Sequence, residues 1–405
     1  MSGLGALQGL WRRALPRSLR ERVAPAVTWA TQAYARNYAR QRGAPAIGQG
    51  LKVVGLFSQT SGIAASAKLC VRAFEALGVP VEKVDIGVSG GLDFAKRLPQ
   101  ATPAAAWIFH LNPAELLAAL AILGPRRVIG RRFGYWAWEL PRAPADWLKD
   151  GAVVDEIWAP SHYTAQSLEG AQAPVRVVPH PFFAEDYANV EPAARRTPFQ
   201  AVSVFDFNSS LARKNPHGAI EAFRRAFGDD PACEFTLKTQ NGDRFPEHLA
   251  TLRAGLPANV RIVDEVWPYA RVQSLIAGAD VLVSLHRAEG FGLTPAEAMA
   301  LGTPVLATAF SGVLDFMDET CAVTVPYTLT PVDDPQGIYR GQSWAEPDLD
   351  AAAEGLKTLR GDAWLRTTLA EAGRRRVAER LSPAAWFATL PPAVQAAALA
   401  AKGAA

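Results

Sequence analysis

The sequence predicts an α/β fold built from two doubly wound units, and three observations carry that expectation. The chain has 405 residues, 49% hydrophobic and 20% charged, enough to bury two sizeable cores. Short apolar runs recur along it, each leading through a loop into a helical pattern. One stretch, Ser284 to Pro304 (SLHRAEGFGLTPAEAMALGTP), follows the apolar run Asp280-Val281-Leu282-Val283 as a strand, a glycine-bearing turn and a helix start.

Leu51 to Phe57 is the first expected strand. The loop SQTSGIAASA and a helix through Leu69, Phe74 and Leu77, closed by Gly78, complete a β-loop-α unit of the kind that opens doubly wound folds. Gly62 is the only glycine of that loop, so the fingerprint G-x-G-x-x-G is missing and close approach of backbone to a ligand is expected at Gly62 alone. Further strands are expected at Val81 to Asp85, Ala106 to His110, Arg127 to Tyr135, Glu156 to Ala159 and Val175 to Val178. His110 ends its strand in WIFHLNPAEL, at the edge where α/β folds hold ligands. A lone histidine there is as readily a satisfied core residue. In YWAWELPRAPADW, Trp138 and Glu139 offer an aromatic and an acid suited to a carbohydrate face, although buried indoles serve packing equally well.

From Glu185 to Pro198 the chain turns polar and proline-bearing, which divides it into a first domain, 51–195, and a second, 196–383. The second opens with a strand at Ala201 to Phe205, the loop DFNSSLARKNP and a helix through Ile220 and Phe223. Arg213 and Lys214 stand at the entrance to that helix, where an anion would be held by both cations and helix amides; a solvated basic pair is the alternative. Strands at Glu234 to Leu237 and Val260 to Val263 and a helix at Tyr269 to Ala277 lead to the strand Val281 to Leu285. Beyond it come two acids, Glu289 and Glu297, with seven residues between them. Thr294 to Glu297 has the form of a capping box with Pro295 at the first helical position, and Gly302 and Pro304 should end the helix. The amides of Gly290, Phe291, Gly292, Leu293 and Thr294 suit a diphosphate. On pattern alone, Glu297 is equally a capping partner and Glu289 a solvated loop acid.

After a strand at Val305 to Thr308, the turn Ser311 to Asp315 is expected to complete the phosphate cradle with its amides. The segment TVPYTLTPVDDPQGIYRGQSWAEPD reads as a long loop, Asp348 as an N-cap, and residues 350–381 and 384–403 as helical. Cys70, Cys233 and Cys321 are far apart, with no C-x-x-C and no histidine cluster, which fits a reducing compartment and neither a disulfide framework nor a zinc site.

The net charge of +3 hides an asymmetry. Residues 1–50 hold eight arginines and one acid, Glu21, about +7, leaving about −4 for the remainder. This basic arm interleaves arginine with Leu10, Trp11, Leu15, Leu19, Trp29, Tyr34 and Tyr38, the composition of a surface helix on anionic lipid and also of a transit peptide. No run reaches the roughly 20 apolar residues of a membrane span. A cytoplasmic protein, peripheral at the inner membrane face, is the expectation, with no nucleic-acid partner.

The text EGFGLTPAEAMALGTPVLA, with its E-x7-E pair Glu289 and Glu297, resembles the donor-site signature of the retaining glycosyltransferases of family 4, of the kind that builds bacterial polysaccharide and lipopolysaccharide. The likeness spans roughly residues 51–390, is strongest over 201–325, and includes the tail WAEPD. It implies the GT-B fold: two Rossmann-like doubly wound domains facing across a cleft, with a C-terminal helix, 384–405, crossing back to the first. It implies transfer of a hexose, mannose being one candidate, from a nucleotide diphosphate sugar to a glycan or lipid-linked glycan, without metal or cofactor. It implies that Lys214 contacts the donor phosphates, Glu289 the sugar, Glu297 the ribose, and His110 the donor sugar from the opposite domain. The arginine that the family carries several residues earlier is missing, this chain having Phe207-Asn208 there, and Arg213 is expected to replace it. Three rivals stay open: a metal-dependent transferase, whose D-x-D would have to be Asp348-Leu349-Asp350; a nucleotide-sugar 2-epimerase; and a non-catalytic GT-B scaffold at a membrane.

Overall fold

The computed structural model describes residues 32–43, 49–59, 61–87, 103–333, 339 and 341–404. The first half carries the strands β1 Leu51–Gly55, β2 Val81–Asp85, β3 Ala106–Phe109, β4 Arg131–Tyr135, β5 Glu156–Ala159 and β6 Val175–Val177. They form one sheet in the order β2-β1-β3-β4-β5-β6. The second half carries β7 Phe199–Asp206, β8 Cys233–Gln240, β9 Val260–Asp264, β10 Val281–Ser284, β11 Val305–Thr308 and β12 Val323–Val325, in the order β12-β11-β10-β7-β8-β9. Every pairing in both sheets is parallel. Strands β1, β3 and β11 are buried at every residue, which is why they read in the sequence as apolar runs rather than alternations.

In each sheet the chain winds outward from its first strand and then returns to that strand's other side. The reversals fall between β1 and β3 and between β7 and β10. Such switch points open a crevice beyond the carboxyl ends of the strands. Topology therefore gathers His110 after β3, Arg213 and Lys214 after β7, and Glu289 after β10.

Helices cover both faces of each sheet. Gly62–Ala76 lays Cys70, Val71 and Phe74 on Leu51, Val53 and Ile108. Pro383–Thr389 and Pro392–Ala404 return to the same face of the first sheet, where Trp386, Leu390, Val394 and Ala398 join that core. Trp386 meets Phe74 edge-on at 4.9 Å. Lys402 Nζ donates to the Leu77 carbonyl at 2.7 Å, placing a cation at the carboxyl end of Gly62–Ala76 where the helix dipole favours it.

Three local expectations are corrected. The strand expected from Arg127 starts at Arg131, because Gly124 and Gly130 take φ of 79° and 127° and turn the chain between them. The stretch read as a long loop contains an antiparallel ladder, β13 Tyr327–Pro331 with β14 Ser343–Pro347. No residue of β13 is buried, so no apolar alternation marked it. Residues 350–381 are two helices, Leu349–Gly361 and Ala363–Leu381, parted at Asp362, whose carboxylate caps the second by accepting from Leu365 N at 2.8 Å. Asp348 caps the first, accepting from Asp350 N and Ala351 N.

Residues 1–31 of the basic arm lie outside the described residues. Residues 32–39 are helical and dock on the first half. Arg36 Nε donates to Asp150 at 2.6 Å, Arg42 to Asp155 at 3.2 Å, and fully buried Arg132 donates to the carbonyls of Ala39 and Gln41. Two of the arm's arginines are thus neutralised within the protein. Cys70, Cys233 and Cys321 are buried and unpaired. Among the described residues, no helix is long and apolar enough to cross a membrane.

Candidate functional site

A cleft of about 1450 Å³ lies between the carboxyl ends of the two sheets. On the side of the second sheet, Leu211–Lys214 is one helical turn, ended by Asn215 in a left-handed conformation (φ 51°, ψ 50°). The Asn215 amide fixes that turn: Oδ1 accepts from Gly218 N and Nδ2 donates to the Leu285 carbonyl. The turn is thereby tied to the end of β10, which brings Arg213 and Lys214 to Glu289. Lys214 Nζ donates to Glu289 Oε1 at 2.5 Å, and Arg213 Nη1 lies 3.3 Å from Oε2. Burial pushes the Glu289 carboxyl up, but Lys214 and Arg213 outweigh it and hold it down to about 2. Burial also works against the Arg213 charge, and Glu289 and Glu139 override it, so its pKa is raised.

The two cations differ in access. Arg213 is 4% exposed and uses its Nη1 on the Ala288 carbonyl at 2.8 Å, whereas Lys214 keeps 24% of its side chain open. Lys214 is the one able to turn toward a ligand without unfolding its surroundings.

The Glu289 loop is buttressed from behind. Glu289 N donates to Ser311 Oγ at 2.8 Å, and Gly312 N donates to the Glu289 carbonyl at 2.9 Å. Ser311 holds φ of 70°, a conformation that a non-glycine residue keeps only where its surroundings dictate it. A Cβ on Gly312 would sit 2.3 Å from the Gly290 carbonyl oxygen. The turn Ser311–Asp315, expected to offer its amides to phosphate, instead uses the Gly312 amide on the loop itself.

The capping box is also corrected. The helix begins at Leu293, with Gly292 (φ 97°) as its N-cap and no side-chain cap. Thr294 and Pro295 lie inside its first turn, and Glu297 does not reach back; it accepts instead from Tyr269 Oη at 2.6 Å. An uncapped helix N-terminus leaves first-turn amides open, and Gly290 to Pro295 line the cleft. Burial pushes the Glu297 carboxyl up to about 7, with the Tyr269 hydroxyl pulling the other way. Two acids one loop apart are therefore in opposite electrostatic states.

The facing wall belongs to the first sheet. His110 is 3% exposed; its Nδ1 exchanges a 2.8 Å hydrogen bond with Ser66 Oγ, its ring stacks on Tyr135 at 4.5 Å, and its buried Nε2 has no partner. Burial and then His180 lower its pKa to about 3, so it is neutral near pH 7. His180 follows β6, lies 3.4 Å from Tyr135 Oη and meets Phe291 edge-on at 4.9 Å, and burial lowers it to about 4. Gly62 starts the helix behind Ser61, whose side chain caps Ala64 N, and a Cβ on Gly62 would touch nothing within 4 Å. Glu139 reaches across the cleft, 3.8 Å from Arg213 Nη2 and 3.5 Å from Tyr339 Oη. Trp138 does not line the cleft: its indole donates to the Arg142 carbonyl and its ring packs edge-on against Trp147 and Tyr339. The walls are joined at Gly290, whose carbonyl accepts from Ser161 Oγ at 2.5 Å and Thr164 Oγ1 at 3.1 Å.

Glu289, Glu297, Lys214, Arg213, His110, Glu139, Gly62 and Gly290 to Thr294 thus share one cleft. The sequence reading missed His180, Tyr269 and Trp267. His180 had a signal, since it follows a strand just as His110 does. Trp267, between Arg271 at 3.7 Å and Lys238 at 4.9 Å, and Tyr269 carried none, because both stand outside any motif. Among the described residues, no group of three His, Cys, Asp or Glu could hold a metal ion.

No curated protein sequence matches the chain. Solved structures match in fold. A glycosyltransferase from Rickettsia africae ESF-5 superposes with a TM-score of 0.60 at 13% identity, over 84% of this chain and 96% of that one. Anabaena Alr3699/HepE in complex with UDP-glucose gives 0.57 at 14% identity, over 84% and 97%. TarM of S. aureus, in complex with Fondaparinux, alpha-GlcNAc-glycerol and UDP, gives 0.52 at 11% identity over 71% of this chain, which spans 54% of the TarM chain. The fold is GT-B, and residues 204–325, which supply Arg213, Lys214, Glu289 and Glu297, match the family model described as glycosyl transferases group 1.

Proposed function

We propose that the protein is a retaining glycosyltransferase, similar to family 4, that moves a hexose from a nucleotide diphosphate sugar to a hydroxyl of a glycan or lipid-linked glycan. The observation that carries this reading is the meeting of Lys214, Glu289 and the uncapped amides of Leu293–Leu301 at one switch point, opposite an unpartnered His110 Nε2. A diphosphate needs its charge neutralised as the glycosidic bond breaks, and Lys214 with those amides supplies fixed positive charge there. Glu297 accepts the ribose hydroxyls, Glu289 those of the sugar, and the neutral His110 bonds a sugar hydroxyl from the other wall. The bond from C1 to the phosphate oxygen breaks, the acceptor oxygen bonds C1 on the same face, and the departing phosphate oxygen takes the acceptor proton. Glu289, held ionised by two cations, stabilises the oxocarbenium-like centre without itself bonding it. Arg213 supports Glu289, and Glu139 lies where an acceptor would enter.

A thermal-shift panel of UDP, GDP and ADP tests the reading, since a ligand that binds only the folded chain raises its melting temperature. One diphosphate should stabilise the parent chain and fail to stabilise Lys214→Ala. The corresponding sugar donor should be consumed only when a glycan acceptor is present. Epimer formed from donor alone would favour a 2-epimerase, and no shift with any nucleotide would favour a scaffold. Residues 1–31 carry five of the eight arm arginines and are the part we assign to an anionic membrane surface, on the cytoplasmic side.

A further inference from the structure

Glu297 faces the cleft with no cation among the groups that act on it, and its surroundings are phenolic. Tyr269, the first residue of the helix Tyr269–Ala277, donates to Glu297 Oε1 at 2.6 Å. Tyr187 Oη lies 3.5 Å from Tyr269 Oη, and Tyr187 stacks on Phe182. Tyr187 sits on Glu185–Ala188, a turn anchored twice: Arg72 of the first half holds Asp186 and Glu185, and Gln273 Nε2 donates to the Asp186 carbonyl at 3.1 Å. The turn joins the two halves, so this file of hydroxyls runs from the segment between the domains to the acid that faces the cleft.

We propose that Tyr269, backed by Tyr187, is a positioning residue for the donor's ribose: it holds Glu297 with Oε1 occupied and Oε2 directed to a vicinal diol, which makes the site select ribonucleotides over their deoxy forms. The proposal rests on the reading of Glu297 as the ribose acceptor. A carboxylate has about four lone-pair sites, and one phenolic donor uses one of them. A diol presents two donors and needs an acceptor-only, ionised partner. Burial without a cation favours the protonated form, which would present a donor of its own to the diol. The Tyr269 hydroxyl opposes that tendency and fixes the side chain, since a hydrogen bond to a charged group outweighs one to a neutral group. Tyr269 remains about half exposed and the cleft reaches it, so its hydroxyl stands beside the acid at the cleft's edge.

Calorimetry on the full chain with UDP, GDP and ADP, each beside its 2′,3′-dideoxy form, tests this. The parent chain should prefer the ribose form of its nucleotide by about tenfold or more, the scale of hydrogen bonds to a charged acceptor. Tyr269→Phe, which keeps the ring and whose fold is checked by its melting temperature and by its binding of the dideoxy form, should lose most of that preference by weakening the ribose form while binding the dideoxy form unchanged. Tyr187→Phe should lose part of it. If Tyr269→Phe discriminates as strongly as the parent, or binds the ribose form more tightly, Tyr269 is a bystander or a competitor and the proposal is overturned while the ribose reading survives. If the parent chain itself shows no preference, the ribose reading of Glu297 fails and takes this proposal with it.

Discussion

The two sheets meet across one cleft with the same winding and opposite chemistry. The floor of the first is neutral: Ser66, His110, Tyr135 and His180 are buried and hydrogen-bonded or stacked, with both imidazoles held uncharged by burial. The second is charged: Arg213, Lys214 and Glu289 form a compact ionic cluster, and Glu139 crosses from the first half to join it. One plan of folding thus yields two kinds of ligand wall. The nucleotide sugar we propose as donor has the matching asymmetry, with charge on its diphosphate and hydroxyls on its sugar.

The comparison breaks most visibly if the ionic cluster is opened. Arg213 is buried between Glu289 and Glu139, so Arg213→Met leaves two acids short of a cation. Removing one partner of a buried pair costs about 3 to 5 kcal/mol, to be read from denaturant unfolding. Lys214→Ala, at a more open position, should spare most of the stability and lower kcat/KM about 10²- to 10³-fold, about 3 to 4 kcal/mol of barrier. A loss under tenfold would mean that the charged wall is not where phosphate sits. His110→Ala sharpens the contrast from the neutral side. It should cost about tenfold in kcat/KM, a single neutral hydrogen bond, and leave the Kd of the free nucleoside diphosphate unchanged. Weaker binding of the nucleotide alone would place His110 against phosphate and erase the division of labour.

How far the sequence announced this division follows from the range of the forces involved. Strand positions were legible because parallel strands buried on both faces are apolar runs, as at Val305–Thr308. The glycine and proline punctuation around Leu293–Leu301 fixed that helix's end at Gly302, but not its start. Leu293 enters directly from Gly292 because Glu297 is drawn to Tyr269, a partner 28 positions away that no local pattern names. The same limit applies to Ser311, whose hydroxyl serves Glu289 from 22 positions away, and to Asn215, which looks like a loop residue until its amide is seen tying the start of the helix Pro216–Phe227 to the end of β10. Trp138 shows the reverse error: an aromatic beside an acid reads as a sugar platform, yet in space its ring closes a core with Trp147 and Tyr339. Local spacing identifies which residues stand at the ends of strands. It does not say which of them turn inward.

The smallest expected effect divides the two acids of the charged half from each other. Glu289 has its pKa lowered to about 2, below the ordinary carboxylate value, so its contribution to stability is present above about pH 4.5 and is lost as pH falls through 2. Glu297 has its pKa raised to about 7, so the sign reverses: stability is fully present below about pH 4.5 and is lost as pH rises through 7. Glutamine cannot ionise but keeps an oxygen for Tyr269. Melting of Glu297→Gln without ligand should therefore match the parent near pH 5 and exceed it by a few degrees near pH 8, whereas Glu289→Gln should melt lower than the parent at both. If both variants shift the same way at pH 8, the two carboxylates share one environment, and the contrast between a cation-bound acid and a phenol-held acid cannot stand.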